Sequence, residues 1–285
     1  MTPRLTSVDY IKQLIRSYEL RVKKRLGQHF MISPAVIERI VDLAGVGPQD
    51  TVIEIGPGLG ALTERLAERA RRVVAVEIDR DLIPVLQELF RERENVLVRQ
   101  GDILEIDLEE LTAGERCKVI GNLPYYITSP IVKRVLESRL KIDSFTVMVQ
   151  KEVAERMTAR PSSKEYGLLT VGVQYFAEVS FGGVVPRSAF WPQPEVESAL
   201  VKMTPYRVPP VKVADEEFFF DVARAAFGQR RKMLGNALKG IRGGKKKAES
   251  DLASVIEAAG INPQRRGETL SLEEMAVLAN HLFRG

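Results

Sequence analysis

Apolar residues fall in short blocks whose period switches between helical and extended along the chain. Ser33-Pro34 places a capping hydroxyl before a proline suited to the first helical turn, and predicts a helix to about Ala44. Thr51-Val52-Ile53-Glu54-Ile55 is a short buried strand, Gly56 to Gly60 a glycine-rich turn, and 61–70 a helix. Val73-Val74-Ala75-Val76 is a second strand ending at Glu77, and Asp79 is read as the cap of a helix over about 80–93. Further strands are expected at 96–98, 118–120 and 144–149, with a helix over 128–138 between the last two. Strands alternating with helices imply a parallel sheet with right-handed crossovers, which binds ligands beyond the carboxyl ends of its strands. Gly56, Glu77, Asp102 and Asn122 all fall at or just after such ends.

A late strand is expected at 197–203, and Pro205, Pro209 and Pro210 then mark a linker. Beyond it the pattern is helical, over about 215–227, 229–239, 248–259 and 271–283, with 243–247 as an exposed loop. The expected division is a catalytic domain over 1–206, opening on a basic extension over 1–30, and a helical domain over 207–285.

The 285 residues are 45% hydrophobic, enough for a buried core and too much for a disordered chain. No apolar run approaches the roughly 20 residues that span a bilayer, and the charged amphipathic start lacks a signal-peptide pattern. The cytoplasm is therefore the default location, with no membrane partner. A single cysteine, Cys117, excludes an internal disulfide and a cysteine-based zinc site. The net charge of +4 is unevenly placed: residues 1–30 carry seven basic against two acidic side chains, and 207–285 fourteen against ten. Basic ends around an acidic centre suit an enzyme that binds a polyanion, and suit random surface charge as well.

Gly56-Pro57-Gly58-Leu59-Gly60 lets the backbone bend tightly and approach a ligand at a helix N-terminus. The spacing is G-x-G-x-G, not the G-x-G-x-x-G of nicotinamide dinucleotide sites, although such a site remains the direct competitor. Glu77, 19 residues beyond Gly58, is placed to accept two hydrogen bonds from a ribose diol. Asp102 is placed to accept from an adenine amine, or to cap a turn. An acidic pocket suits a sulfonium cation, whereas a dinucleotide brings two phosphates.

Asn122-Leu123-Pro124-Tyr125 is the most specific local signal. An adenine amine is a poor nucleophile because its lone pair is delocalised into the ring. Accepting both amine hydrogens favours a pyramidal nitrogen with a localised pair. The Asn122 side-chain oxygen and the Leu123 carbonyl are the two candidate acceptors. Pro124 stiffens the turn, and Tyr125 offers a ring for base stacking. Such chemistry needs alignment and transition-state hydrogen bonding, not a metal.

With these residues assembled, the sequence resembles the small-subunit ribosomal RNA adenine dimethyltransferases of the KsgA type. The resemblance runs from about Lys24 to the C-terminus, through 24–31, 54–60, 101–102, 122–126, 150–156, 166–169 and 185–199. It implies a Rossmann-like α/β class I sheet dependent on S-adenosylmethionine, followed by a small all-helical C-terminal domain. It implies transfer of methyl groups, two to each of two adjacent adenines in a small-subunit rRNA hairpin loop during ribosome biogenesis, with S-adenosylhomocysteine as product. By the same resemblance His29 and Met31 line the methionine end of the cofactor site, Gln28 lies close to the cofactor, Gly56 passes under it, and Gly58 belongs to the same cofactor-binding set. Glu77 holds the ribose, Asp102 the adenine, and Asn122 both the cofactor region and the target amine. Phe190 stacks on a flipped-out target base opposite Tyr125, or is a core aromatic.

Lys24, Arg25, Arg230, Arg231 and Lys232 are the leading candidates for RNA phosphate contacts, with 245–247, Lys23 and Arg71-Arg72 behind them. Such contacts set affinity and orientation, not sequence choice. The expected partner is a folded rRNA loop within an assembling small subunit, bound by a monomer. Alternatives are a resistance-type enzyme acting on large-subunit rRNA, a DNA adenine methyltransferase and a non-catalytic rRNA-binding assembly factor.

Overall fold

A computed structural model describes residues 5–23, 27–138, 140–229, 231–239, 241 and 249–284. The chain forms two compact units, 1–154 with 178–205, and 155–177 with 206–285. The first carries α1 (Val8–Ser17), β1 (Phe30–Met31), α2 (Pro34–Ala44), β2 (Thr51–Ile55), α3 (Ala61–Arg69), β3 (Arg72–Glu77), α4 (Ile83–Leu89) and β4 (Val96–Gln100). It continues through α5 (Leu108–Thr112), β5 (Cys117–Asn122), α6 (Thr128–Leu136) and β6 (Ile142–Gln150). Helix α7 (Lys151–Met157) crosses the boundary between the units, and α8 (Leu168–Phe176) lies in the second. Strands β7 (Ala177–Val185), β8 (Phe190–Trp191) and β9 (Ser198–Pro205) complete the first unit.

Seven strands make one sheet in the order β4-β3-β2-β5-β6-β9-β7. Strands β2 to β6 run parallel, and β9 lies antiparallel to β6. Every residue of β2 is buried, as expected of a central parallel strand covered on both faces. The chain leaves β2 toward β3 and β4, then returns to β5 on the other side. The sheet therefore has its topological switch between β2 and β5, where open α/β sheets hold ligands. Gly56 and Asn122 sit at that point.

Most expected elements are present within a residue or two, and two differ for local reasons. Helix α4 begins at Ile83, not 80, because Pro84 lacks an N–H and fits only the first turn. Asp79 does not cap it: the carboxylate accepts from the Asp81 N–H and from two side chains of an earlier segment. The helix expected over 229–239 is reduced to α10 (Leu234–Ala237). Met233 there adopts an extended bridge to Arg266, and the Leu234 and Gly235 N–H groups donate to Arg265 and Pro263. Strand β7 escaped the sequence reading, since its burial does not alternate and Gly182-Gly183 interrupts it. Gly182 is required: a Cβ there would lie 2.4 Å from Leu43 and 2.8 Å from Leu200.

The second unit is helical, with α8, α9 (Glu216–Gly228), α10, α11 (Glu249–Ala258) and α12 (Leu272–Arg284). Asp215 caps α9 by accepting from the Phe218 N–H at 2.7 Å. Its core joins Phe219, Val222, Leu234, Ile256, Met275 and Leu278 to Tyr166, Val171 and Tyr175. That packing places 155–177 with the helical unit, whereas a division at 206 assigns it to the first domain. The Tyr175 hydroxyl donates to Glu216, and the ring stacks on Phe219 with centroids 5.0 Å apart. Among the described residues no helix is long and apolar enough to cross a membrane.

Candidate active site

An open cleft of about 670 Å³, counted out into solvent, lies over the carboxyl ends of β2, β3, β4 and β5. Its floor is the glycine turn. Gly56, Gly58 and Gly60 all take positive φ, of 70°, 61° and 85°, which L side chains rarely adopt. Space adds to this at two of them: a Cβ on Gly60 would press to 2.6 Å from Phe90 and one on Gly58 to 3.3 Å from Phe30, whereas on Gly56 it would make an ordinary 3.6 Å contact with the Asn122 carbonyl. The turn therefore brings bare backbone against both the cleft and the end of β5.

Glu77, at the end of β3, lines the cleft and is 5% exposed. One carboxylate oxygen accepts from the Asp79 N–H at 2.8 Å and the other from the Gly58 N–H at 3.1 Å. Each oxygen keeps a further lone pair, so the ionised group can still receive two donors. Burial raises its pKa to about 7 despite those bonds, and the Asp79 charge adds to the rise. Behind it Glu54 is fully buried, and burial raises its pKa to about 8. The Thr63 hydroxyl donates to it at 2.6 Å, and the Glu77 charge opposes its ionisation. Sequence reasoning placed Glu54 only within a strand; its acid character emerges from the closed core around it. Asp102 lines the cleft after β4, with one oxygen accepting from the Leu104 N–H at 2.9 Å.

The Asn122–Tyr125 turn closes another side. Asn122 and Pro124 line the cleft. The Asn122 amide donates to the His29 carbonyl at 3.4 Å, which leaves the side-chain oxygen as acceptor. The Leu123 side chain is buried and its N–H donates to Met148 at 3.1 Å. Tyr125 donates to, or accepts from, Ser198 Oγ at 2.8 Å, and its ring stacks against His29 at 6.4 Å. Residues Tyr125–Ile127 form a 3-10 turn, in which side chains three apart eclipse one another. Pro124 and Ile127 accordingly share the cleft wall, while Tyr126 between them is 56% exposed.

Gln28 and His29 line the same cleft, and His29 Nδ1 lies 2.7 Å from the Pro192 carbonyl. Met31 is buried beside it and borders a smaller pocket at the glycine turn, about 390 Å³ counted out into solvent, shared with His29, Glu54, Gly58 and Asn122. Phe190 pairs across β1 and β8 with Met31 and is 2% exposed, packed in the core of the first unit. The structure therefore gathers Gln28, His29, Gly56, Gly58, Glu77, Asp102 and Asn122 on one cleft, and places Phe190 in the core with no face open to a base. Arg231 and Lys232 are exposed in the second unit; Lys24, Arg25, Arg230 and 245–247 lie outside the described residues.

Residues 19–278 match the family model described as ribosomal RNA adenine dimethylase. The chain belongs to this family. It is 47% identical over 277 residues to Ribosomal RNA small subunit methyltransferase A of Bacillus mycoides (strain KBAB4), covering 95% of both chains. The same-named protein of Bacillus cereus (strain B4264) is 47% identical over 276 residues. Among solved structures, a dimethyladenosine transferase from Plasmodium falciparum superposes with a TM-score of 0.74 at 25% identity, over 87% of this chain and 95% of that one. The 23S rRNA methyltransferase ErmE gives 0.68 at 28% identity, over 88% and 98%. This rRNA adenine dimethylase has the Rossmann-like α/β fold and is a methyltransferase dependent on S-adenosylmethionine.

The cleft fits that cofactor. Among the described residues it is lined by two carboxylates and by no lysine or arginine, as a sulfonium donor without phosphates requires. Glu77 lines the cleft with acceptor capacity beyond its Asp79 and Gly58 bonds, although the Ile78 N–H also draws on it; Asp102 keeps one oxygen outside its backbone bond, and the positive-φ glycines leave room for a ligand against the backbone.

Proposed function

We propose that this enzyme methylates the N6 amines of two adjacent adenines in a small-subunit rRNA hairpin loop, placing two methyls on each during subunit assembly. The observation that carries the reading is the approach of the Asn122 turn to the glycine turn, with the Asn122 carbonyl 3.6 Å from where a Gly56 Cβ would stand. Donor and acceptor sites thus share one cleft. When bound, S-adenosylmethionine supplies an electrophilic methyl carried on a sulfonium. The Asn122 side-chain oxygen, held by its amide's bond to His29, accepts one amine hydrogen, and the Leu123 carbonyl accepts the other. The adenine nitrogen then presents a localised lone pair in line with the methyl, and its surplus proton passes to solvent. Tyr125, steadied by Ser198, faces the base. Glu77 takes the ribose diol and Asp102 the adenine of the donor, with Gln28, His29 and Met31 toward its methionine end.

The small-subunit choice is supported by 47% identity to relatives named for that subunit, against 28% to the large-subunit ErmE. The helical unit docks rRNA by phosphate contacts, with exposed Arg231 and Lys232 among them. The enzyme works as a monomer in the cytoplasm. Asn122→Ala tests the reading on immature small subunits with labelled donor. Methyl transfer should fall about a hundredfold or more, the scale of losing one aligned polar group at a reacting centre. Unchanged transfer to small-subunit rRNA, or transfer confined to large-subunit rRNA or DNA, would refute it.

A further inference from the structure

Residues Gly27, Gln28 and His29 form one wall of the donor cleft, yet they belong to an irregular segment between α1 and β1. His29 is tied to Pro192 and Asn122, whereas Gln28 is tied to a buried carboxylate. Asp79 lies two residues beyond Glu77, and its side chain is 2% exposed. One oxygen accepts from Lys23 Nζ at 2.5 Å and from the Asp81 N–H at 3.1 Å; the other accepts from Gln28 Nε2 at 2.6 Å. Gln28 closes the ring by accepting the Lys23 N–H on its own oxygen at 2.8 Å. Lys23 also pairs with the exposed Asp81 at 2.7 Å. Finally, the Asp79 N–H donates to Glu77, so the same residue orients the carboxylate on the opposite wall.

We infer that Asp79 is a positioning residue for the donor site, clasping Lys23 and Gln28 and fixing Glu77 through its backbone. The reasoning rests on the cleft being the donor site, as proposed above. Helix capping does not account for these partners, since α4 starts four residues later, and the local turn uses only the Asp81 and Leu82 N–H groups. Burial works against its ionisation, but the Lys23, Asp81 and Gln28 hydrogen bonds outweigh it and keep the carboxyl below its ordinary pKa. The clasp is therefore charged at neutral pH and loses its strength when the lysine is neutralised. Because Gln28 is a cleft residue at one end and an Asp79 partner at the other, release of Lys23 frees the wall without touching the reacting groups.

Lys23→Met and Lys23→Arg, with Asp79→Asn as a second probe, test this in the full chain with S-adenosylmethionine and small-subunit substrate. At saturating rRNA, which removes any effect of Lys23 on RNA binding, Lys23→Met should raise the donor KM roughly tenfold, the equivalent of one hydrogen bond to a charged group, a larger change than in kcat. Lys23→Arg, which can still pair with Asp79, should restore the KM. Asp79→Asn keeps an acceptor for Gln28 but loses the ion pair, and should match Lys23→Met. A merely structural clasp would lower the thermal midpoint and leave the KM-to-kcat split unchanged. An unaltered donor KM in folded Lys23→Met, or no rescue by arginine, overturns the inference. Failure of the wild-type chain to bind donor at all would instead overturn the assignment of the cleft.

Discussion

Glu77 makes donor affinity a function of pH in a way that can be worked out from its partners. With its pKa raised to about 7 by burial, much of the carboxyl is protonated in the empty enzyme at neutral pH. Both oxygens already accept a backbone N–H. A ribose diol needs two more acceptor sites, and only the ionised group provides them, since a proton occupies one lone pair. Binding is thus linked to proton release. Below the pKa, affinity should rise about tenfold per pH unit and level off above it, a gain of roughly thirtyfold between about pH 5.5 and 8. Adenosine is the suitable ligand, as it has the diol and no group titrating in that range. Calorimetry across the range, in two buffers of different ionisation enthalpy, reads both the affinity and the released proton. Glu77→Gln should abolish the slope. It should also leave one of the two backbone donors facing an NH2, a cost of about 1–3 kcal/mol that shows in full at acid pH and is offset as pH rises, because the buried titrating group is gone. An affinity for adenosine that is flat with pH in the wild-type chain, or that keeps its slope in Glu77→Gln, would show that the diol does not meet this carboxylate.

The same burial sets the stability of the empty fold. Glu54 and Glu77 hold protons in the folded state up to about pH 8 and 7, and lose them at ordinary carboxylate pH when unfolded. Their contribution is complete below about pH 4.5 and is lost as pH rises through the folded values, so stability should fall across that window. Glu54→Gln, which still accepts the Thr63 hydroxyl, should flatten the fall and gain on the order of 3 kcal/mol at neutral pH; urea midpoints at several pH values would expose an absent slope. Gly60→Ala should cost about 2 kcal/mol or more, since a Cβ at φ 85° would press on the Phe90 ring. Thermal melts would test it, and an unchanged midpoint would mean the turn can relax. Tyr126→Ala should raise the KM for rRNA about tenfold with little change in donor KM, because a ring so exposed beside the reacting turn has no core to support and is free to stack on a neighbouring base. Equal kinetics with alanine would remove it from the substrate surface.

Local chemistry in the sequence determined much of this protein. Capping and glycine signals located α2, β2 and the turn at Gly56 to Gly60, because each depends on backbone preferences within a few residues. The alternation of strands and helices implied a parallel sheet, and that alone directed Glu77, Asp102 and Asn122 to one edge. What only the tertiary structure decided are the properties that depend on residues far apart in the chain. Asp79 reads locally as a helix cap, and becomes a clasp because Lys23 and Gln28, more than 50 positions away, fold onto it. Glu54 reads only as part of a buried strand, and Phe190 reads either as ligand-facing or as core; the closed core raises the pKa of the first and decides the second. Residues 155–177 join the helical unit because their apolar side chains complete its core. Hydrogen-bond propensity is a short-range property and can be read along the chain; burial, and the pKa shifts that follow from it, are fixed by everything that packs around a group.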